Sequence, residues 1–198
     1  MKSFFTQKLL KQTICALLAL FALPNICLAH IGQLADHQSG LMEGILHPFT
    51  GLDHLTIFLT AGIILCITSK SKKNFFIIMS GLVIGILLGS FIGESEAFVV
   101  ETAVALTILI AALLLFVKKA HPFIIYLLPI IACIHGLAHG MELPMNAAIS
   151  FTIGSALSVV VIMSIGYLLT IPFKNSAIFK NSIVAALVAI FGVIIGTN

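Results

Sequence analysis

Two short stretches of the chain concentrate side chains that bind metal ions. The first, "HPFTGLDH" at residues 47–54, has two histidines and an aspartate. The second, "HGLAHGMELP" at residues 135–144, has two histidines and a glutamate. Imidazole nitrogens combined with a few carboxylates suit borderline cations such as Ni²⁺, Co²⁺ and Zn²⁺, whereas Mg²⁺ and Ca²⁺ prefer oxygen ligands. The two stretches therefore predict a transition-metal site.

In the second stretch, His135 and His139 are four residues apart, so they share one face of a helix. Glu142 follows three residues after His139, on the same side. Two imidazoles one turn apart can hold a divalent ion from a single helix. Buried histidines that only pack are the alternative interpretation of the pair. The added acid and the first stretch favour a metal.

In the first stretch, Pro48 is predicted to occupy the first turn of a helix, with His47 just before it. Asp53 and His54 are neighbours, which point about 100° apart on a helix. One of the two can bind the metal while the other orients it, as carboxylates do for ligating imidazoles. The spacing leaves open whether Asp53 is a ligand or an orienting group. Gly51 permits a kink or a close approach of the backbone.

The composition places this chemistry in a membrane. Of the 198 residues, 60% are hydrophobic and 9% are charged, whereas a soluble domain has about a quarter charged residues. We therefore expect one all-α domain, a polytopic helical bundle in the lipid bilayer. All the basic residues are lysines, and none forms a cluster interleaved with aromatics, so a nucleic-acid partner is not expected.

The first 29 residues have the pattern of a secretory signal peptide. A basic start is followed by the apolar run "TICALLALFAL", and Pro24 and "CLA" precede His30. We predict cleavage after Ala29, which makes His30 the new N-terminus; an uncleaved anchor helix is the alternative. The segment 30–49 is too polar and glycine-rich to span, so we expect it to cover or dip into the outer face.

The remaining chain, 30–198, carries six apolar runs that are long enough to be spanning helices. They cover residues 50–68, 75–92, 98–117, 122–140, 147–172 and 181–196. If the new N-terminus is outside, every remaining lysine falls at a cytoplasmic end, as the positive-inside rule requires. We therefore expect a protein of the inner (cytoplasmic) membrane whose N-terminus faces the periplasm.

This topology places the acids and six of the seven histidines in the outer half of the bundle. Glu101 is alone in "FVVETAVALTIL", with no lysine in reach, and we predict that it relays protons or metal below the outer site. Gly81, Gly85 and Gly89 recur at every fourth position, which predicts a close helix approach.

Together these features resemble the HupE/UreJ family of nickel and cobalt permeases. The resemblance is carried by "HPFTGLDHL", "HGLAHGMELP", the lone glutamate of the third span and a histidine after "LA". It implies a secondary permease of six to seven spans that takes up Ni²⁺ for hydrogenase or urease assembly. It also implies metal-related roles for eight residues: His30, His47, Asp53, His54, Glu101, His135, His139 and Glu142.

Two functions fit these residues. The first is a permease that imports a divalent transition metal, Ni²⁺ or Co²⁺, as its substrate and has no resident cofactor. The second is an intramembrane zinc hydrolase in which Glu142 or Glu101 acts as the base. A metal sensor and a docking subunit for a metallochaperone are weaker alternatives. The sequence decides neither the metal nor the coupling ion, and homo-oligomerisation stays open.

Overall fold

The computed structural model describes residues 40–68, 73–92, 94–115, 122–141, 143 and 147–197. Every regular element in these ranges is helical, which confirms the predicted all-α class. The seven α-helices are α1 (Gly40–Thr50), α2 (Leu52–Thr68), α3 (Lys73–Gly89), α4 (Ala97–Leu114), α5 (Pro122–Met141), α6 (Ala148–Thr170) and α7 (Ala177–Thr197). Single 3₁₀ turns lie at Glu94–Glu96 and Ile171–Phe173. The predicted signal peptide and the segment 30–39 lie outside the described residues.

Helices α2 to α7 correspond to the six predicted apolar runs. In the described part of the chain, α4 and the stretch Ala148–Phe173 are long and apolar enough to cross a membrane alone. A third candidate arises if α1 and α2 form one broken span. The other apolar helical stretches, Lys73–Gly89, Tyr126–Met141 and Ala177–Gly192, are shorter, so the structure supports two or three spans and the number of six stays a prediction. α7 begins four residues earlier than predicted, because the Ser176 hydroxyl accepts a hydrogen bond from the Phe179 N–H and caps the helix.

The segment before α2 forms a helix of its own. α1 meets α2 at an angle of 78°. The prediction for Pro48 was wrong: the proline lies near the end of α1, and the next helix begins only at Leu52. α1 is held by α6, because Gly44 and Gly154 let the two backbones approach until a Cβ at either position would overlap the opposite main chain.

The predicted close approach at the glycines of α3 is confirmed, and its partner is α5. A Cβ on Gly85 would overlap the Cys133 carbonyl, and one on Gly89 would overlap the Leu137 carbonyl. The same holds in the opposite direction, since Gly136 and Gly140 of α5 touch the backbone of α3. The two helices therefore lock in one register, which decides where the histidines of α5 lie.

Candidate metal centre

The break between α1 and α2 positions the first pair of histidines. His47 lies in the last turn of α1 and His54 at the start of α2. The Thr50 hydroxyl and the Gly51 N–H both donate to the His47 carbonyl, at 2.9 and 3.3 Å, which supplies hydrogen bonds where the helix ends. The two imidazoles consequently come together, with ring centroids 5.4 Å apart.

Gly51 makes room for the side chains that turn back over this break. A Cβ at this position would lie 2.7 Å from His54 Nδ1 and 2.9 Å from Asp53 Oδ1, closer than real Cβ contacts. The predicted kink at Gly51 is confirmed by the sharp angle between α1 and α2. A side chain at position 51 would therefore disturb two residues of the site.

α5 contributes the third imidazole. His139 lies in its last turn, with its ring centroid 4.3 Å from that of His54 and 4.6 Å from that of His47. Each histidine of α5 is followed by a glycine that packs against α3, so the histidine face is turned away from that interface. Three helices thus meet at one cluster of imidazoles.

His47, His54 and His139 form what we call the three-histidine group. Each offers one ring nitrogen, and these three nitrogens lie within 4.8 Å of one another. Nitrogens bound at 2.0–2.1 Å to one tetrahedral metal lie about 3.4 Å apart. Small side-chain movements are sufficient to bring the three nitrogens to that separation.

His139 is the most revealing member of the group. Its side chain is completely buried, and within the described part of the chain neither ring nitrogen has a hydrogen-bond partner. Burying an unsatisfied polar atom costs about 1–3 kcal/mol. A chain that carries this cost at a cluster of imidazoles is arranged for a ligand that the protein itself does not supply.

Asp53 supports the group from the side. Its Oδ2 lies 2.8 Å from His54 Nδ1. A carboxylate this close to Nδ1 favours the proton on that nitrogen and leaves Nε2 as the nitrogen that can bind a metal. The contact favours the orienting alternative for Asp53 over direct ligation.

His135 lies one turn before His139 in α5. Its ring is buried, with its centroid 5.5 Å from that of His54 and 5.7 Å from that of Phe58. Its Nδ1 lies 3.2 Å from the Ile131 carbonyl and 3.4 Å from the Thr107 hydroxyl of α4. His135 is therefore next to the three-histidine group without belonging to it.

Phe151 of α6 closes one side of the group. Its ring centroid is 5.6 Å from that of His47 and 6.4 Å from that of His139, and the side chain is buried. An aromatic wall excludes water from this side and so strengthens the binding of an ion by the nitrogens. Neither Phe151 nor Thr107 was found from the sequence, because isolated phenylalanines and threonines in apolar helices give no distinguishing signal.

Glu101 does not belong to the three-histidine group, and its relay role stays a prediction. Glu101 is exposed, about 100° around α4 from the buried Val100. It precedes Thr107, which contacts His135, by six residues, or about 9 Å along α4.

Two predicted site residues, His30 and Glu142, lie outside the described residues. Their metal roles stay predictions. The structure brings His47, His54 and His139 together, and their metal roles also stay predictions.

The fold and the centre define an all-helical apolar chain with a histidine-rich site between three helices. A family model described as "HupE / UreJ protein" matches residues 18–195. Protein HupE of Rhizobium leguminosarum bv. viciae is 36% identical over 154 residues, which cover 75% of this chain and 78% of the relative. The chain belongs to the HupE/UreJ family. No solved structure matches it.

Proposed function

We propose that this chain is a permease that imports a divalent transition-metal cation, Ni²⁺ or Co²⁺, across the cytoplasmic membrane. The observation that carries the proposal is the three-histidine group, in which fully buried His139 has both nitrogens unpartnered among the described residues. The association of the HupE/UreJ family with nickel and cobalt transport supports the same conclusion.

The position of the group fits capture from the outer side. His54 is near the start of α2 and His139 near the end of α5, so both lie close to the predicted outer ends of their helices. The part of the chain that the structure describes carries no nucleotide-binding motif. We therefore propose that a gradient drives entry, either the membrane potential, at about 2.3 kcal/mol per charge per 100 mV, or coupled protons.

The zinc hydrolase alternative finds no support. It requires a carboxylate base beside the metal, and Glu101 is exposed on α4 and does not belong to the three-histidine group. The other predicted base, Glu142, lies outside the described residues. Asp53 is engaged with His54. The metal is accordingly proposed as the transported substrate, with no resident cofactor.

The decisive experiment is uptake of radioactive nickel, cobalt and zinc by cells that express the chain. We compare the wild type with His54→Ala and His139→Ala, and use His121→Ala as the matched control because this histidine is predicted on the inner side. Immunoblots of membranes verify equal abundance. We expect nickel or cobalt uptake to fall to background in the two site variants and to persist in the control.

Equal uptake by the wild type and both site variants would remove the permease function. Preferential uptake of zinc would leave transport intact and overturn the proposed metal. Loss of uptake in the His121→Ala control, at normal abundance, would show that the effect is not confined to the three-histidine group.

A further inference from the structure

The three-histidine group leaves one buried imidazole unexplained. His135 is completely buried beside His54, and its Nε2 has no hydrogen-bond partner in the described part of the chain. Its other nitrogen, Nδ1, is approached by two oxygens from different helices. The inference rests on this difference between Nδ1, which has neighbouring oxygens, and Nε2, which has none in the described part of the chain.

The neighbouring oxygens decide where the proton of His135 resides. The Ile131 carbonyl, 3.2 Å from Nδ1, can only accept a hydrogen bond. The Thr107 hydroxyl donates its own hydrogen to the Val104 carbonyl at 2.5 Å, so towards His135 its oxygen acts as an acceptor. Both contacts therefore require the proton on Nδ1, which leaves a lone pair on Nε2.

We propose that Thr107 is a positioning residue, which holds His135 so that Nε2 serves as a second, deeper ligand for an ion leaving the three-histidine group. The proposal rests on the proposed transport function and extends it from capture to inward transfer. Thr107 is suited to the task because it is buried and anchored to its own helix through Val104.

Transfer requires such a ligand. An ion that leaves three nitrogens inside an apolar bundle loses its coordination unless another donor is near, and an unpaired charge in a membrane interior is costly. His135 is one helical turn, about 6 Å, inward of His139. Its ring centroid is 5.5 Å from that of His54, which is the member of the group adjacent to it.

The test separates the effect of the Thr107 hydroxyl from the effect of the size of the side chain. Thr107→Val keeps the shape and removes the hydroxyl, whereas Thr107→Ser keeps the hydroxyl. The matched control is Thr170→Val, since the Thr170 hydroxyl makes the same kind of buried bond, to the Gly166 carbonyl at 2.7 Å, at the opposite end of α6 from the metal centre. Each variant is assayed in cells for the concentration dependence of radioactive nickel uptake.

We expect Thr107→Val to lower the maximal uptake rate about tenfold, the lower end of the usual effect of removing a supporting group. The nickel concentration at half-maximal rate should change by less than about twofold, because capture at the outer group is retained. Thr107→Ser and Thr170→Val should match the wild type. A normal rate in Thr107→Val, or an equal loss in Thr107→Ser, overturns the proposal.

A second measurement does not depend on the folding of Thr107→Val. The wild-type protein is labelled with nitrogen-15 at histidine, purified in detergent and freed of metal, and the His135 signals are assigned by comparison with His135→Asn. Protonated Nδ1 and unprotonated Nε2 are expected; the opposite tautomer overturns the proposal.

His54→Ala is included in the uptake assay to separate the two proposals. Wild-type uptake by His54→Ala rejects transport through the site. Loss of uptake in His54→Ala together with normal uptake in Thr107→Val rejects only the role of Thr107.

Discussion

At the scale of the residue, His139 shows how a side chain placed for binding lowers the stability of the metal-free protein. Both its nitrogens are buried and unpartnered in the described part of the chain. We predict that His139→Leu raises the free energy of unfolding of the metal-free protein by about 1–3 kcal/mol, because an apolar side chain of similar size removes the unsatisfied atoms. Thermal unfolding in detergent with a chelator measures this change.

The same variant should no longer respond to nickel. A ligand that binds only the folded state raises its stability, so the wild type should melt at a higher temperature with Ni²⁺ than without it. We expect this increase to vanish in His139→Leu. A variant that melts lower than the wild type without metal would contradict the argument, since the nitrogens would then be engaged in stabilising bonds.

Substitutions of Asp53 test whether it orients the His54 ring or binds the metal itself. Asp53→Asn keeps an oxygen that can accept the His54 Nδ1–H, whereas Asp53→Ala removes it. We expect nickel uptake to fall about tenfold in Asp53→Ala and less in Asp53→Asn, with His54→Ala the most impaired. Concentration-dependent uptake gives the order. Equal loss in Asp53→Asn and His54→Ala would instead identify Asp53 as a ligand.

Residue types and spacing were sufficient to predict that His47, His54 and His139 share one site. They were insufficient to predict that the Glu101 side chain is exposed, because the direction of a side chain around α4 depends on which neighbours cover that helix. Thr107 could not be found at all, since its proximity to His135 arises from the packing of α4 on α5. Sequence patterns indicate the donor atoms; tertiary packing decides which of them meet.

At the scale of the element, the turn between α1 and α2 brings the Gly51 backbone close to two side chains of the site. A side chain at Gly51 would press on the His54 ring and the Asp53 carboxylate. We predict that Gly51→Ala reduces nickel uptake at least about tenfold, because the ring is displaced from the three-histidine group. Gly192→Ala is the control, since a Cβ there meets nothing within 4 Å. Uptake by Gly51→Ala at the wild-type level would show that the site tolerates the displacement.

At the interface between α3 and α5, an added Cβ is expected to lower the stability of the protein. Cβ atoms at Gly85 and Gly89 would meet backbone atoms, which cannot rotate away. We predict that Gly85→Ala destabilises the protein by about 1–3 kcal/mol through overpacking. The melting temperature in detergent measures the effect, and Gly192→Ala should leave it unchanged or slightly raised. An unchanged melting temperature in Gly85→Ala would mean that the two helices separate at little cost.

The helices themselves were largely predictable because uninterrupted apolar runs have few alternatives in a bilayer. α1 was not expected as a helix, since its polar and glycine residues resemble a loop when read alone. Its order comes from α6: the Ser158 hydroxyl donates to the Ile45 carbonyl at 2.6 Å, and Gly44 packs on the Phe151 backbone. Contacts 100 or so residues apart in sequence leave no local pattern.

At the scale of the whole molecule, the predicted topology implies a shallow depth for the metal centre. A helix of 17 residues, such as α2 or α3, is about 26 Å long, less than the roughly 30 Å of the hydrocarbon core. Local thinning of the bilayer accommodates such helices. His54, two residues after the start of α2, is then near the predicted outer surface, where an ion reaches it without crossing the apolar core.

The orientation of the bundle is the last prediction, and it determines whether the centre receives ions from outside the cell. The exposed Ser95 precedes α4 on the predicted outer side, and the exposed Asn175 lies between α6 and α7 on the predicted inner side, beside Lys174. In a chain whose native cysteines are replaced by alanine, we introduce Ser95→Cys or Asn175→Cys and treat whole cells with a maleimide that does not cross membranes. We expect labelling of Ser95→Cys in intact cells and of Asn175→Cys only after permeabilisation. The reverse pattern would turn the metal centre towards the cytoplasm, and the same three histidines would then load an ion for export.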